Sequence, residues 1–134
     1  MTEDCLFCKI VKREIPSDIL YEDDEVLVFL DIYPIARGHT LFIPKKHITD
    51  LYELKGEEIG FMRNLPKIAR KLKDATGASG INLIQNNGKD AGQVIFHLHF
   101  HLIPRYSNDG LTILPPRLEL DKAVAEELTH KFVE

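Results

Sequence analysis

The stretch Gln93–Arg105, with the sequence QVIFHLHFHLIPR, decides how the rest of the chain is interpreted. Three histidines alternate with apolar residues in it, and alternation at period two predicts a β-strand with one buried face. The apolar positions expected to face the core are Val94, Phe96, Leu98, Phe100 and Leu102. The histidines His97, His99 and His101 then share the opposite face.

A row of three histidines has several interpretations. A solvated polar face or non-specific metal binding would account for the composition, but the strongly apolar opposite face favours a site that handles phosphate or supplies a nucleophile. A strand rises about 3.3 Å per residue, so His97 and His101 would stand about 13 Å apart on a straight strand. All three could not then bind one tetrahedral ion, and we expect them to have different roles.

Length and composition limit the class of protein. The 134 residues suffice for one domain with its own core and are too few for two. With 44% hydrophobic and 28% charged residues, the chain has the composition of a soluble globular domain, and its formal net charge of -4 argues against nucleic-acid binding. No apolar run approaches the roughly 20 residues that span a bilayer, and the acidic N-terminus lacks a signal-peptide core. We expect a cytoplasmic protein with neither membrane nor nucleic acid as a partner.

The two cysteines of the chain, Cys5 and Cys8, form a Cys-x-x-Cys motif. In a reducing compartment this spacing favours a metal site or a redox pair over a structural disulfide, and two buried small apolar residues are the alternative. A thioredoxin-like site would need a βαβ context, which the chain does not offer. Zinc takes four ligands, so two more would come from the six histidines, and spacing alone does not choose among them.

Periodicity predicts an α+β fold, an antiparallel sheet of about five strands with one main helix packed on it. The strands are expected at 19–21, 26–30, 38–44, 81–85 and in the histidine stretch. The main helix ends near Gly77, with a kink or a break at Pro66. Its core-facing positions are expected to be Ile59, Met62, Leu65, Ala69 and Leu72, with Phe61 and Ile68 widening the stripe. Shorter helices are expected at 5–12 and 121–133, the second capped by Asp121 and carrying His130 on its surface.

Several motifs besides the histidine stretch give the chain a resemblance to the histidine-triad (HIT) family of nucleotide hydrolases and transferases. They are Gly92-Gln93 and Pro104-Arg105 around the histidines, Asp31–Pro34, Gly38-His39, Ile43–His47 and Asn86–Gly88. The resemblance covers roughly residues 5–106 of a single domain at 1–134 and leaves 107–134 as a C-terminal extension. It implies a HIT-like sheet that extends across a homodimer.

The resemblance also implies a role for individual residues. The catalytic group would be His99, His101, His39 and Gln93. The nucleotide would contact Phe7, Ile10, Phe29, Asp31, Ile32 and Asn86, with Asp31 on the ribose hydroxyls and the apolar side chains around the base. One structural zinc would be bound by Cys5, Cys8, His47 and His97. From the residues alone, an aspartate at a strand end is as readily a turn former, and the apolar residues are as readily plain core.

The activity implied by the resemblance is hydrolysis of a purine nucleotide at the α-phosphorus. A neutral imidazole is a competent nucleophile at pH 7, and attack by His99 would give a nucleotidyl-histidine that water opens. The N-terminal half is similar to the Hint-like branch, which cleaves nucleoside phosphoramidates, whereas Pro104-Arg105 is similar to the Fhit-like branch, which cleaves dinucleoside polyphosphates. A nucleotide-binding regulatory protein with incidental catalysis is the alternative from another class. Val94 departs from the pattern, because many relatives carry there a serine or threonine that contacts the phosphate.

Overall fold

The computed structural model describes residues 2–133, which form a five-stranded antiparallel sheet with the strand order β1-β2-β3-β5-β4. The strands are β1 (Ile19–Glu22), β2 (Val26–Leu30), β3 (Thr40–Pro44), β4 (Gly80–Ile84) and β5 (Phe100–Arg105). The α-helices in the described residues are α1 (Leu6–Val11), α2 (Leu65–Thr76) and α3 (Lys122–Lys131). Single 3-10 segments lie at Thr2–Asp4, Leu51–Glu53, Gly56–Met62 and Lys89–Ala91. The predicted α+β class and strand number are confirmed; residues 1 and 134 of the predicted domain lie outside the described range.

The central strands are apolar at nearly every position because the sheet is covered on both faces. Strands β2 and β3 are buried almost throughout. On one face Val26, Val28 and Phe42 pack with Ile68 and Leu72 of α2. On the other face, a second cluster joins the strands to α1, and its buried members are Cys5, Phe7, Cys8, Ile10, Leu27, Phe29, Leu41 and Ile43. Alternation along the strands places His39 on this second face with Leu41, and His101 stands directly opposite Leu41 in the ladder.

The main helix is broken before Pro66, as the sequence predicts. A 3-10 segment ends at Met62, and α2 begins at Leu65 with Pro66 in its first turn, where its missing N–H has no intrahelical partner to lose. Helix α2 ends at Gly77, whose φ of 72° is the left-handed conformation that glycine adopts readily. The predicted core position of Ile59 is wrong, because it lies on the 3-10 segment, whose three-residue period turns its side chain out to 55% exposure.

The histidine stretch is not the continuous strand that its alternation predicts. The chain bends at residues 95–97 and pairs with β3 only from Phe100 onward. Val94 is 83% exposed and Phe96 is 48% exposed, so their predicted core positions are wrong, whereas the buried positions of Leu98, Phe100 and Leu102 are confirmed. The 13 Å estimate, which assumed a straight strand, does not apply.

The bend has a physical cause in the buried side chain of Gln93. Its Oε1 accepts a hydrogen bond from the N–H of Gly88 at 2.8 Å, and its Nε2 donates to the carbonyls of Thr49 and Ile95 at 2.8 and 3.1 Å. These bonds fold the loop back on itself and direct the chain away from the sheet immediately before the histidines. Period-two alternation contains no signal for such a long-range constraint.

The C-terminal extension contains the predicted helix. Asp121 caps α3 by accepting from the N–H groups of Ala123 and Val124, and His130 is exposed. The helix keeps its apolar side chains largely in solvent, with Val124 45% exposed and Phe132 86% exposed. No helix in the described part of the chain is long and apolar enough to cross a membrane.

Candidate active site and metal centre

Four side chains from three separate segments converge beside α1. Cys5 caps this helix by accepting from the N–H of Cys8, His47 follows β3, and His97 precedes β5. The Nδ1 atom of His97 lies 3.4 Å from the Sγ of Cys5 and 3.6 Å from the Sγ of Cys8. The Nδ1 atom of His47 lies 3.3 Å from the same Cys8 sulfur, and all four donor atoms lie within 4.8 Å of one another. Such a group could hold a metal ion, and in this sense we call Cys5, Cys8, His47 and His97 the metal centre.

The metal centre has the dimensions of a tetrahedral zinc site. Zn–S bonds of about 2.3 Å and Zn–N bonds of about 2.0–2.1 Å give a sulfur-to-nitrogen edge of about 3.5 Å in a tetrahedron. The three distances observed, 3.3, 3.4 and 3.6 Å, lie around that value. A metal bound there would link α1 to the segments that follow β3 and precede β5.

The protonation of His97 suits a metal, whereas that of Cys8 would make metal binding depend on pH. The Nε2–H of His97 donates to the carbonyl of Pro44 at 2.8 Å, so Nδ1 carries the lone pair and faces the thiols. Burial lowers the pKa of His97 to about 4, which keeps this imidazole neutral. Burial, and then the adjacent Cys5, raises the pKa of the Cys8 thiol to about 11, so a metal would have to displace its proton and would bind more tightly as the pH rises.

His99 lies next to the metal centre with its tautomer set in the same way. Its Nδ1 is 2.7 Å from the carbonyl oxygen of His97, which can only accept, so the proton is on Nδ1 and the lone pair is on Nε2. Burial lowers the pKa of His99, although the bond to His97 and the charge of Asp31 oppose this shift. The ring lines a cavity of about 250 Å³, and its unprotonated nitrogen is therefore the one suited to attack a ligand there.

His101 has the opposite arrangement of donor and acceptor. The N–H of Ile35 donates to Nδ1 of His39 at 3.2 Å, so His39 carries its proton on Nε2 and donates it to Nδ1 of His101 at 2.9 Å. The proton of His101 is then on Nε2, where it can be donated to a ligand. Burial, followed by the neighbouring His99 and His39, lowers the pKa of His101 to about 4, so this donor is neutral at pH 7.

Asp31, His39 and His101 form a second group with metal-ligand spacing. The Oδ2 of Asp31 is 3.6 Å from Nε2 of His39, but burial lowers the pKa of His39, so this is a polar contact and not an ion pair at pH 7. A metal on Nε2 of His39 would force the proton onto Nδ1, against the N–H of Ile35. We therefore interpret this group as a relay, in which a hydrogen bond joins His39 to His101 and Asp31 makes only a polar contact, and not as a metal site.

The cavity combines apolar walls with the polar groups of the relay. Its lining includes five of the predicted nucleotide-binding residues, Phe7, Ile10, Phe29, Asp31 and Ile32, together with His99 and His101. The Oδ1 of Asp31 accepts from the N–H of Tyr33 at 2.8 Å, which orients the carboxylate. Among the described residues that line the cavity there is no lysine or arginine.

Two predicted site residues lie elsewhere. Gln93 is not in the cavity lining, although its neighbours Gly92 and Val94 are, and its side-chain amide is hydrogen-bonded to Gly88, Thr49 and Ile95. Asn86 is half-buried and is also absent from the lining, although its Nδ2 lies near Gly92, which does line the cavity.

Several lining residues were not singled out from the sequence. They are Leu6, Ile15, Tyr33, Leu41 and Ile95, with Val94 noted only as a departure from the family pattern. The first, Leu6, was recognisable as a neighbour of the predicted Phe7 on a short helix. Val94 and Ile95 lie at the bend before His97, for which the local sequence gives no signal.

The comparisons with known proteins identify the family of the chain. The HIT domain family matches residues 12–108, and the chain therefore belongs to it. A crystal structure of a Streptococcus mutans protein is 45% identical, covers 96% of this chain and 82% of its own, and superposes with a TM-score of 0.90.

Two enzymes are among the relatives. The adenosine 5'-monophosphoramidase hnt1 of Schizosaccharomyces pombe is 39% identical over 96% of this chain and 98% of its own length. The adenylylsulfatase HINT3 of Arabidopsis thaliana is 42% identical over 94% of this chain and 66% of its own length. The predicted enzyme class, a HIT-family hydrolase acting on nucleotides, is confirmed.

Proposed function

We propose that this enzyme hydrolyses purine nucleoside phosphoramidates at the α-phosphorus, with His99 as the nucleophile. The observation that carries the proposal is the 2.7 Å hydrogen bond from Nδ1 of His99 to the carbonyl of His97. It holds the lone pair on Nε2 and supports the imidazolium character that develops there during attack, without a separate base. The apolar walls of the cavity would hold the base, and Asp31 would accept from the ribose hydroxyls.

The reaction proceeds in two displacements. Nε2 of His99 forms a bond to the α-phosphorus while the phosphorus–nitrogen bond of the substrate breaks, and the amine leaves with one proton taken from solvent. Water then attacks the same phosphorus, the bond to His99 breaks, and one proton returns to solvent with the nucleoside monophosphate. The N–H of His101 would hydrogen-bond to the phosphoryl oxygen as negative charge grows on it. His39 would position His101, and Gln93 and Asn86 would shape the loop beside the phosphate.

The character of the cavity favours an amine over a second nucleotide as the leaving group. A dinucleoside polyphosphate carries further charged phosphates, and a site for them would contain Arg or Lys clamps. The lining described above supplies no such cation.

Parallel specificity constants test this assignment. The specificity constants for adenosine and guanosine phosphoramidates are expected to exceed that for diadenosine polyphosphate. Adenosine 5'-phosphosulfate is included as a third substrate, because one relative is named an adenylylsulfatase. A polyphosphate preference of tenfold, about 1.4 kcal/mol of transition-state binding, would contradict the proposal.

His101→Ala is expected to lower kcat by about ten- to a hundredfold, since it removes one neutral donor to the phosphoryl group. Turnover should remain measurable because the nucleophile is untouched. Steady-state kinetics would check this, with His130→Ala as a matched control because that histidine is exposed on α3. A loss as complete as that of a nucleophile variant would mean that His101 has a larger role.

We further propose that the metal centre holds one structural zinc per chain and that the protein is a homodimer. The sheet ends in β1 and β4, and each edge strand offers unpaired backbone groups that could pair across a two-fold axis. Light scattering at micromolar concentration is expected to give twice the mass of one chain. A monomeric mass under these conditions would exclude the dimer.

A further inference from the structure

The metal centre and the proposed nucleophile are joined through a single buried residue. The side chain of His97 faces the two thiols through Nδ1 and donates from Nε2 to the carbonyl of Pro44. Its backbone carbonyl accepts the Nδ1–H of His99, the bond that sets the tautomer of that ring. The position of one carbonyl oxygen therefore decides which nitrogen of His99 can attack.

Sheet pairing does not hold that carbonyl. His97 lies at the end of the bend, and the ladder between β3 and β5 starts only at the pair Phe42–Phe100. The peptide unit that carries this carbonyl also contains the N–H of Leu98, which donates to the carbonyl of Ile48 at 2.6 Å and is one anchor of the peptide plane. The other anchor of the peptide is the side chain of His97, which is held between Pro44 and the metal centre. A metal at the centre would therefore fix the support of the nucleophile as well as the fold.

Phe7 makes a second connection between the two sites. It lies between Cys5 and Cys8 in sequence, and its ring packs edge-on against His97 and His99 with centroid distances of 5.8 and 5.0 Å. Helix α1 has six residues, too few to be stable alone, so its attachment through the cysteines should determine where this ring lies. The same ring lines the nucleotide cavity.

We propose that the metal centre positions the nucleophile, with His97 acting through its carbonyl and Phe7 acting through its ring. Metal occupancy then sets the tautomer and orientation of His99, in addition to stabilising the fold. This inference rests on the proposed function in two respects, in taking His99 as the nucleophile and in placing a metal at the metal centre. Neither His97 nor Phe7 is a catalytic residue in it; both are positioning residues.

The direct test is nitrogen-15 NMR of the histidine rings in metal-loaded and metal-stripped protein. Reductant is kept present so that the two cysteines stay as thiols, and His99→Gln assigns the His99 signals. In stripped protein that keeps its circular-dichroism spectrum, we expect the signature of a protonated Nδ1 and a free Nε2 at His99 to be lost or broadened. Turnover should fall at least tenfold. Unchanged His99 signals in folded, stripped protein would overturn the proposal, and this reading does not depend on the substrate.

If the stripped protein unfolds, the Phe7→Leu variant provides the test, because this variant keeps all four ligands of the metal centre. We expect one metal per chain, altered His99 signals, and a kcat at least tenfold lower with KM changed less than threefold. Ile10→Val is the comparison variant, because Ile10 lines the same cavity but has no aromatic ring to pack against His97 or His99. This variant should alter KM more than kcat. If Phe7→Leu raised KM, kept kcat and left the His99 signals unchanged, Phe7 would be only a wall of the pocket and the proposal would fail.

Discussion

His99→Ala is expected to lower turnover by at least about a thousandfold, because it removes the atom that forms the bond to phosphorus. Binding of adenosine monophosphate should change little, because Asp31 and the apolar walls remain in place. Removing the ring leaves no group at this position that could replace it, since Nε2 of His101 carries its proton and Nε2 of His39 is engaged with His101. Steady-state kinetics and calorimetric titration with the monophosphate would measure the two effects.

The covalent intermediate gives an independent measurement. Rapid quenching of the wild-type enzyme, followed by mass spectrometry, should find the nucleotidyl group on the peptide that contains His99. His130→Ala should behave as wild type in both assays. Substantial turnover by His99→Ala, or a nucleotidyl group on His101, would show that another residue is the nucleophile.

Among substitutions of the two cysteines, we expect Cys8→Ser to cause the larger loss of stability. The sulfur of Cys8 contacts both histidines of the metal centre. Binding of a ligand to the folded state stabilises it by about 4 kcal/mol when the free ligand is a thousandfold above its Kd. For a domain of this size, such a loss lowers Tm by at least about 10 °C. The hydroxyl of serine is close to the thiol in shape, so a cavity contributes little to the change.

Calorimetry and elemental analysis of untagged protein would check this prediction. Wild-type protein should contain one zinc per chain, and the Cys8→Ser variant should contain much less. Stripping the wild type with a chelator should lower its Tm to nearly that of the variant, whereas the variant should not respond to the chelator. Wild-type protein without metal, or a variant with an unchanged Tm, would contradict a zinc-stabilised fold.

Local sequence was sufficient for most of the fold. The apolar runs of β2 and β3, the break before Pro66 and the cap at Asp121 all depend on residues within one turn or one strand. The same logic failed at Val94 and Phe96, because the bend there is imposed by Gln93 through a bond to Thr49, far away in sequence. Alternation in a sequence shows which side chains are polar and which are apolar. It does not show whether a neighbouring strand is available for backbone pairing.

The candidate site divides in a similar way. Spacing left six histidines open as partners of the cysteines, and the fold brings His47 and His97 to them. The tautomers depend on partners that the fold brings into place, such as the carbonyl of Pro44 for His97 and the ring of His39 for His101. The contacts of Gln93 with Gly88, Thr49 and Ile95 likewise became visible only in the fold, and its predicted catalytic role stays a prediction.

The two covered faces of the sheet have a consequence for which positions of this chain tolerate substitution. The cluster beneath α2 has no side chain in common with the cavity, and the rim of the cavity carries Ile32, Tyr33 and Val94, which are 71%, 83% and 83% exposed. Substitutions at such exposed positions cost the folded state little, because little apolar surface is buried there. A substitution at the rim can therefore change what the cavity contacts while the core beneath α2, and the stability that it provides, stays as it is.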